Sequence, residues 1–377
     1  MITQEESESM AGQSRGPKPR QVLEKLEPYV PGRPVEEVQL SYGLTRVIKM
    51  ASNENPWGPS PMALEAMKRE LDRVAMYPEG SCSQLRGALA RRLGVTQDMI
   101  TVSNGGDNVL MMIAQAFVEP GDQVVMATPT FPIYRSATLL MGGEPVEVPL
   151  RDFTHDLEAM ARAVGPKTKA VVICNPNNPT GTVVSREQLE AFLEQVGPAV
   201  LVVLDEVYRE FAQAEDFPDG VELLKRGKTL VTVRSFSKLY GLAGLRVGYG
   251  VGPRELIEAI NRVREPFPVN RLAQAAALGA LEDEEFRRWV ITETCKARKE
   301  LALGLGALGL RCLESHTNFL FVDLQRDSQE VFEALLNRGI IIRPGGIWRT
   351  PTWCRITVGR PEENRQLLEA LSQVLRG

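Results

Sequence analysis

The sequence predicts an α/β protein: a large domain with a mostly parallel seven-stranded sheet, plus a smaller α/β domain. Three observations lead to this fold class. Short apolar runs recur along the chain, helix-like stretches separate them, and the pattern changes after Pro253. Strands that are apolar on both faces occur in parallel sheets covered by helices on each side, so most of the chain before Pro253 should form such a sheet.

The chain begins with segments that cannot form a core alone. Residues 1–20 are polar and form a predicted flexible lead-in. Residues 21–52 contain the proline-rich PYVPGRP and form a predicted arm that belongs with the small domain. Two helices are predicted next, in PMALEAMKREL and SQLRGALARRL, because their apolar residues recur with helical spacing.

The two domains are predicted from the elements that follow. The large domain, residues 53–280, should contain seven strands, near residues 100–103, 123–127, 145–148, 170–174, 201–204, 229–233 and 245–250. A long helical tract at 270–303 leads into the small domain, residues 281–377. This domain should contain strands near 318–323, 339–342 and 354–358, and helices near 328–337 and 361–375.

Charge and composition limit the possible partners and metals. The 44 Lys and Arg residues against 48 Asp and Glu residues give a formal net charge of -4, which argues against nucleic acid or anionic membranes as partners. No apolar run approaches the roughly 20 residues of a membrane span, and no secretion signal is recognisable, so we expect a cytoplasmic protein. The five cysteines form no CxxC pair, and His155 and His316 form no HExxH motif, so no metal site is expected.

Lys238 is the central candidate residue. It lies in SFSKLYGLAGLRVGY, which comes after the apolar strand TLVTV. Ligands of open α/β sheets bind beyond the carboxyl ends of the strands. A lone lysine there is ordinarily a surface residue, but Ser235, Ser237 and Arg246 provide the groups that a phosphate ester needs near an attached aldehyde. The combination favours a lysine that carries a phosphorylated aldehyde cofactor.

A second strand ends in VVLDEVYREF and supplies Asp205 and Tyr208. A buried carboxylate requires a cationic partner, which a protonated pyridine nitrogen would supply. The ring would then act as an electron sink for the carbanion formed when the substrate Cα–H bond breaks. The alternative for a single aspartate at a strand end is the N-cap of a helix.

Other segments could complete a pocket for such a ring. Asn178 in CNPNNPTG could donate, together with Tyr208, to a phenolic oxygen and hold it as the anion. The glycine pair that opens GGDNVLMMIAQAF could turn the amides of Gly106 and Asp107 towards a phosphate. Phe131 in TPTFPIY could stack on the ring. Each feature alone also fits an ordinary loop, helix start or core aromatic residue.

Together, NPNNPTG, DEVY and SFSKLYGLAGLRVGY resemble the motifs of fold-type I aminotransferases, enzymes that depend on pyridoxal 5'-phosphate (PLP). The resemblance covers nearly the whole chain from about Tyr29. Within this superfamily the chain looks like the histidinol-phosphate aminotransferases. The segments that carry this closer likeness occur in that subfamily's order: LEPYVPGRPVEEV, MASNENPWGPSP, YPEG, PFPVNRLAQAA and CRITVG.

The resemblance implies a role for each candidate in a fold-type I PLP-dependent transferase. Lys238 would be the Schiff-base lysine and proton shuttle, Asp205 would pair with the pyridinium, and Asn178 and Tyr208 would bind the phenolic oxygen. The cofactor phosphate would be held by Gly106, Asp107, Ser235, Ser237, Arg246 and, from the second subunit of a homodimer, Tyr77. Substrate anions would meet Arg343 and Arg355, while Tyr29 and Asn55 would close over the ligand.

The implied reaction exchanges an amino group between glutamate or 2-oxoglutarate and histidinol phosphate or imidazole-acetol phosphate, in histidine biosynthesis. Three departures bear on this expectation. The phosphate loop reads GGDN instead of GSDE, Phe131 stands where tyrosine is also common, and GGIWRTPTWCR differs beside the substrate arginines. The alternatives are an aromatic aminotransferase for phenylalanine or tyrosine, a threonine-phosphate decarboxylase, and a PLP-binding regulator without catalysis.

Overall fold

The computed structural model describes residues 17–26, 28 and 32–376. Residues 1–16 of the predicted flexible lead-in, and Tyr29 of the predicted substrate site, lie outside the described residues.

The described residues form strands and helices that alternate through most of the chain. The strands are β1 (Ile48–Lys49), β2 (Ile100–Ser103), β3 (Gln123–Thr128), β4 (Glu144–Pro149), β5 (Thr168–Cys174), β6 (Leu201–Asp205), β7 (Val231–Ser235), β8 (Gly248–Val251), β9 (Arg311–Cys312), β10 (Phe319–Asp323), β11 (Ile340–Ile341), β12 (Arg343–Pro344) and β13 (Trp353–Thr357). The helices are α1 (Val35–Tyr42), α2 (Pro61–Lys68), α3 (Ser83–Leu93), α4 (Gly106–Phe117), α5 (Ile133–Leu140), α6 (Leu157–Arg162), α7 (Arg186–Val196), α8 (Gly220–Lys225), α9 (Arg254–Arg262), α10 (Arg271–Glu282), α11 (Glu284–Ala307), α12 (Ser328–Leu336) and α13 (Pro361–Arg376).

The large sheet has seven strands in the order β2-β8-β7-β6-β5-β3-β4. Strand β8 runs antiparallel to both of its neighbours, and the remaining pairs are parallel. The central strand β6 is buried along its whole length, as expected for a strand covered by helices on both faces. The predicted mostly parallel seven-stranded sheet is therefore confirmed.

Two predicted strands differ from the structure in a way that affects the site. The strand predicted at 245–250 begins only at Gly248, because Ala243–Leu245 form a 3-10 turn and Arg246 adopts a left-handed conformation with φ 56°. The strand predicted at 339–342 is the two-residue strand β11, which pairs with β1, and Arg343 begins a second short strand, β12, which pairs with β13.

The apolar core has two main parts. One consists of two groups of side chains, one on each face of the large sheet, and extends along the chain to Val290. The other includes Ile48, Ala297 and Leu301 together with alternate residues of β10 and β13 and apolar residues of α13. The long helix α11 therefore packs on the first core with its beginning and on the second with its end. Strand β1 of the arm pairs with β11, which places this part of the arm on the small domain. The predicted domain limits themselves stay predictions.

The topology brings several chain segments to one edge of the large sheet. Strands β5, β6 and β7 are parallel neighbours, and Cys174 at the end of β5 is in register with Asp205 at the end of β6. The small four-stranded sheet, in the order β12-β13-β10-β9, lies beside this edge and supplies Arg355. Among the described residues, no helix is long and apolar enough to cross a membrane.

Candidate active site

Lys238 lies three residues beyond the end of β7 and is only partly accessible. Its Nζ donates to the carbonyl oxygen of Ser52 at 3.1 Å and lies 5.7 Å from the centre of the Tyr208 ring. Burial, together with the positive charge of Arg355, lowers the pKa of Lys238 to about 8. A larger fraction of this amine is therefore neutral near neutral pH, and the neutral amine is the form that attacks an aldehyde.

Asp205 is a buried carboxylate at the end of β6, with only 4% of its surface exposed. Its Oδ2 accepts a hydrogen bond from the Tyr134 hydroxyl at 2.6 Å, and its Oδ1 accepts one from the backbone N–H of Val207 at 3.1 Å. Burial raises the pKa of Asp205 to about 6, although both hydrogen bonds oppose this rise. Within the described part of the chain no arginine, lysine or histidine pairs with it. A cationic ring nitrogen fits this carboxylate.

Asn178 and Tyr208 are both about 5% exposed and keep donor groups for a ligand. The side-chain oxygen of Asn178 accepts from Arg355 Nη1 at 2.6 Å, which leaves its NH₂ group available as a donor. The Tyr208 oxygen accepts from Asn53 Nδ2 at 2.9 Å, and burial raises the Tyr208 pKa, so the phenol keeps its hydrogen at neutral pH. Two such donors suit a phenolate oxygen.

The predicted phosphate-binding residues lie together around the start of α4. A Cβ atom on Gly106 would lie 3.9 Å from the Ser235 Cβ, and Arg246 Nη2 bonds Asp107 Oδ2 at 3.2 Å. The Ser235 hydroxyl oxygen accepts from the Ser237 backbone N–H at 3.0 Å.

The backbone of β8 passes very close to the start of α4. A Cβ on Gly248 would lie 2.5 Å from the Gly106 nitrogen, so β8 approaches the helix start as only glycine allows. The cradle of amides, hydroxyls and one guanidinium fits a phosphate ester.

Phe131 lies near the same carboxylate. Its ring is partly buried and meets the Tyr134 ring edge to face, with the ring centres 5.9 Å apart, and Tyr134 donates to Asp205. This places Phe131 on the side of the site where the cofactor ring is expected. Stacking on that ring stays a prediction.

The two predicted substrate arginines lie side by side. Arg343 on β12 and Arg355 on β13 are register partners, so their side chains leave the same face of the small sheet. Both are at most 8% exposed. Arg355 Nη2 also donates to the Ala51 carbonyl at 2.6 Å, and its guanidinium lies between the rings of Trp348 and Phe319, 5.2 and 5.4 Å from their centres.

The segment GGIWRTPTWCR, which departs from the subfamily wording, packs beside Arg355. Its first four residues, Gly345–Trp348, form a 3-10 turn. Trp348 and Trp353 form a buried aromatic group with Phe321, and Phe153 of the large domain packs against this group. The departure therefore places an aromatic ring, that of Trp348, beside Arg355, one of the two predicted substrate arginines.

The other two predicted residues, Asn55 and Tyr77, contact nearby parts of the chain. The Asn55 side chain accepts from the Trp57 backbone N–H at 3.0 Å and donates to the Leu239 carbonyl at 2.8 Å, so it supports the backbone next to Lys238. Tyr77 is 77% exposed and stacks on Phe267, with ring centres 4.4 Å apart. The roles of Asn55 over the ligand and of Tyr77 across an interface stay predictions.

Sequence reasoning missed two side chains of this site. Tyr134, in the same TPTFPIY segment as Phe131, donates to Asp205, and Asn53, in the same MASNENPWGPSP segment as Asn55, donates to Tyr208. Both lie in segments that the sequence predicts to border the site, where the predicted residues are Phe131 and Asn55 instead. Nothing in the pattern alone says which of two residues in such a loop points inward.

Comparisons with known proteins show the family of this chain. The family model described as aminotransferase class I and II matches residues 45–371. The histidinol-phosphate aminotransferase of Moorella thermoacetica is 48% identical over 360 residues, which cover 95% of this chain and 93% of the relative. That of Bacillus subtilis is 44% identical over 354 residues, covering 94% and 98%.

A solved structure extends the likeness to three dimensions. The histidinol-phosphate aminotransferase of Sinorhizobium meliloti, crystallised in complex with pyridoxal-5'-phosphate, is 30% identical and superposes with a TM-score of 0.88. The match covers 97% of this chain and 99% of that one. From its motifs, its fold and these relatives, the chain belongs to the class I and II aminotransferase family.

Proposed function

We propose that this protein is a PLP-dependent aminotransferase that exchanges an amino group between glutamate and imidazole-acetol phosphate, forming 2-oxoglutarate and histidinol phosphate in histidine biosynthesis. The observation that carries the proposal is the pair Arg343 and Arg355, held on one face of the small sheet, with Arg355 bonded to Asn178 beside Lys238. Both halves of the reaction require an anion to be bound at a fixed position relative to the reacting amine.

The arginine pair suits both substrates. A guanidinium binds a carboxylate or a phosphate through two parallel hydrogen bonds, so the same pair can serve glutamate in one half-reaction and a phosphate ester in the other. The aromatic rings of Trp348 and Phe319 hold the Arg355 guanidinium between them.

The residues around Lys238 have separate tasks. PLP, when bound, supplies an electron-withdrawing ring that stabilises negative charge on the substrate Cα. Asp205 would hold the ring nitrogen, and the cradle of Gly106, Ser235 and Arg246 would hold the phosphate. Lys238 Nζ would remove the proton from the substrate Cα, a task for which its pKa of about 8 is suited.

The alternatives are not favoured. Relatives that share 42 to 48% of their residues with this chain are named histidinol-phosphate aminotransferases. The predicted cofactor residues are all present, which argues against a PLP-binding regulator without catalysis. A decarboxylase would be recognised in an assay because it would form product without consuming a keto acid.

The proposal is tested by turnover of the purified protein with PLP. Glutamate and imidazole-acetol phosphate should give equal amounts of 2-oxoglutarate and histidinol phosphate. Replacing Lys238 by Ala should leave negligible turnover and remove the visible absorbance of the lysine-bound cofactor. Full activity of this variant would contradict the assignment, and absence of 2-oxoglutarate formation by the unaltered protein would exclude the aminotransferase reaction.

We further propose that the active unit is a homodimer in which Tyr77 reaches the cofactor phosphate of the partner. Large apolar side chains are exposed in one stretch of this surface: Met62, Leu64, Leu71, Val74, Met76 and Tyr77. An adjoining groove of about 950 Å³ is lined by Tyr77, Arg271 and Leu278, among others. Exposed large apolar side chains concentrated in one segment are a common feature of protein interfaces.

Mixing two defective variants tests this arrangement. Tyr77→Ala should weaken cofactor binding, and Lys238→Ala removes the attachment point. If Tyr77 acts across the interface, a hybrid dimer of the two has one site with both residues intact, so about a quarter of all sites should recover after random reassociation. No recovery, with hybrid dimers present by mass spectrometry, would place Tyr77 outside the partner's site. The cytoplasmic location stays a prediction.

A further inference from the structure

We propose that Asn53 is a positioning residue that fixes the direction of the Tyr208 hydroxyl and thereby the proton affinity of the lysine-bound cofactor. This inference rests on the proposed PLP-dependent function and goes beyond it, because it concerns a residue that would not touch the cofactor. The observation behind it is the hydrogen bond from Asn53 Nδ2 to the Tyr208 oxygen, 2.9 Å long and buried.

Asn53 is held firmly in place by the small domain. Its backbone N–H donates to the hydroxyl oxygen of Thr357 at 2.9 Å, and its carbonyl accepts from Asn318 Nδ2 at 2.9 Å. Its φ of 56° lies in the left-handed region, which asparagine tolerates better than most residues. It is 1% exposed, so its side chain is shielded from bulk solvent.

In the structure the Asn53 amide oxygen faces Thr357 and its Nδ2 faces Tyr208. The Thr357 oxygen accepts from the Asn53 backbone N–H, and the Thr357 hydroxyl donates its own hydrogen to Asn53 Oδ1 at 3.1 Å. The amide oxygen is therefore used on the Thr357 side. The NH₂ group lies 2.9 Å from the Tyr208 oxygen, to which it can only donate.

The Tyr208 hydroxyl is directed as a consequence. Because its oxygen accepts from Asn53, its hydrogen must point elsewhere. The described residues include no acceptor for this hydrogen, since the Asn53 contact is the one hydrogen bond found for the Tyr208 oxygen in that part of the chain. Burial keeps the phenol protonated by raising its pKa. The hydrogen is then available for the phenolic oxygen of PLP.

The direction of the Tyr208 hydroxyl affects the pKa of the lysine-bound cofactor. A donor to the phenolic oxygen stabilises the form that carries negative charge there, and so lowers the pKa of the lysine-bound cofactor. Losing the orientation of one hydrogen bond should raise this pKa by about 0.5 to 1, which is the net free energy of a typical hydrogen bond expressed as a pKa change.

Asn53 also joins the two domains at this point. Thr357 follows Arg355 by two residues on β13, so both side chains leave the same face of that strand. The strand that supplies the substrate arginine thus also fixes the residue that directs Tyr208.

The test is a pH titration of the visible absorbance of the protein with bound PLP. Asn53→Gly removes the amide at a position where glycine accepts the positive φ, and should raise the titration midpoint by about 0.5 to 1. Asn53→Asp keeps the shape but presents an acceptor that takes the Tyr208 hydrogen and adds negative charge, so it should raise the midpoint further. The second variant keeps the test decisive if the first folds poorly.

Two controls separate orientation from general damage. Asn364→Ala removes another buried asparagine, one that bonds Gly359, and should leave the midpoint unchanged. In a Tyr208→Phe background, the Asn53→Gly change should have no further effect on the midpoint. Unaltered midpoints in both Asn53 variants, or a full additional rise without the Tyr208 hydroxyl, would overturn the proposal. Failure of the proposed function would instead appear as no visible band in the unaltered protein.

Discussion

Replacing Asp205 by Asn should stabilise the cofactor-free protein while weakening its hold on PLP. Burial raises the pKa of Asp205 to about 6, against about 3.9 for an aspartate in water. At any pH at which this carboxylate is ionised, the folded state is therefore destabilised relative to the unfolded state. Asparagine has nearly the same shape and carries no charge, and both contacts can be kept if its oxygen accepts from the Val207 N–H while its NH₂ group donates to the Tyr134 oxygen.

The magnitude follows from the difference between the two pKa values. Each pKa unit corresponds to about 1.36 kcal/mol, so the penalty at pH 8 is about 3 kcal/mol. Between about pH 4 and pH 6 the folded state holds a proton that the unfolded state has released, so stability falls as the pH rises through this window. The gain from Asp205→Asn should thus be near zero below pH 4 and complete above pH 6.

The assay is urea unfolding of the cofactor-free proteins at a series of pH values and one protein concentration. Asp219→Asn is the matched control, because Arg234 and Arg209 hold the pKa of Asp219 below its ordinary value despite its partial burial, and this change should destabilise the protein. With PLP added, the unaltered protein should gain more stability than Asp205→Asn. Equal stability at pH 8, or a gain independent of pH, would refute the electrostatic reasoning.

Three further changes probe the ring nitrogen, the substrate arginine and the phosphate cradle. Tyr134→Phe removes the 2.6 Å hydrogen bond to Asp205, so the pKa of Asp205 should rise further. The loss of PLP affinity on lowering the pH, followed by fluorescence, should therefore begin at a higher pH than in the unaltered protein. Arg355→Lys loses the planar fork that bonds Asn178 and Ala51, and KM in steady-state assays should rise by about 10- to 100-fold for both substrates, with the visible band retained. Gly248→Ala places a Cβ 2.5 Å from the Gly106 nitrogen and should weaken PLP binding about tenfold or more, whereas Gly244→Ala, with open space around it, should not. An unchanged affinity in Tyr134→Phe, an unchanged KM in Arg355→Lys, or equal affinities in the two alanine variants would contradict the respective interpretations.

The large domain could be predicted from sequence because its strands are buried on both faces. A run such as Leu201–Asp205 has no polar residue before its end, so its length and type are visible without knowledge of its neighbours. The carboxyl ends of parallel strands meet along one side of the sheet, where ligands bind, and this rule identifies Asp205 and Lys238 as candidates.

Short irregular segments could not be predicted in the same way. The chain from Ala51 to Asn53 has little regular structure, yet its carbonyls accept from Arg355 and Lys238 and its Asn53 side chain bonds Tyr208. These contacts join residues about 155 to 304 positions apart, so no local periodicity reports them. The side-by-side placement of Arg343 and Arg355 likewise depends on strand pairing, which the sequence shows only as two separate apolar runs.

The most direct test of the central claim is a comparison of half-reactions on the purified protein with bound PLP. Histidinol phosphate, phenylalanine and glutamate are added separately, and loss of the visible band is followed against concentration. The account predicts that histidinol phosphate discharges the band at far lower concentration than phenylalanine. If phenylalanine acts at the lower concentration, the arginine pair does not select a phosphate-bearing substrate. The segment from Gly345 to Trp353, with its aromatic side chains, would then contribute to binding an aromatic amino acid.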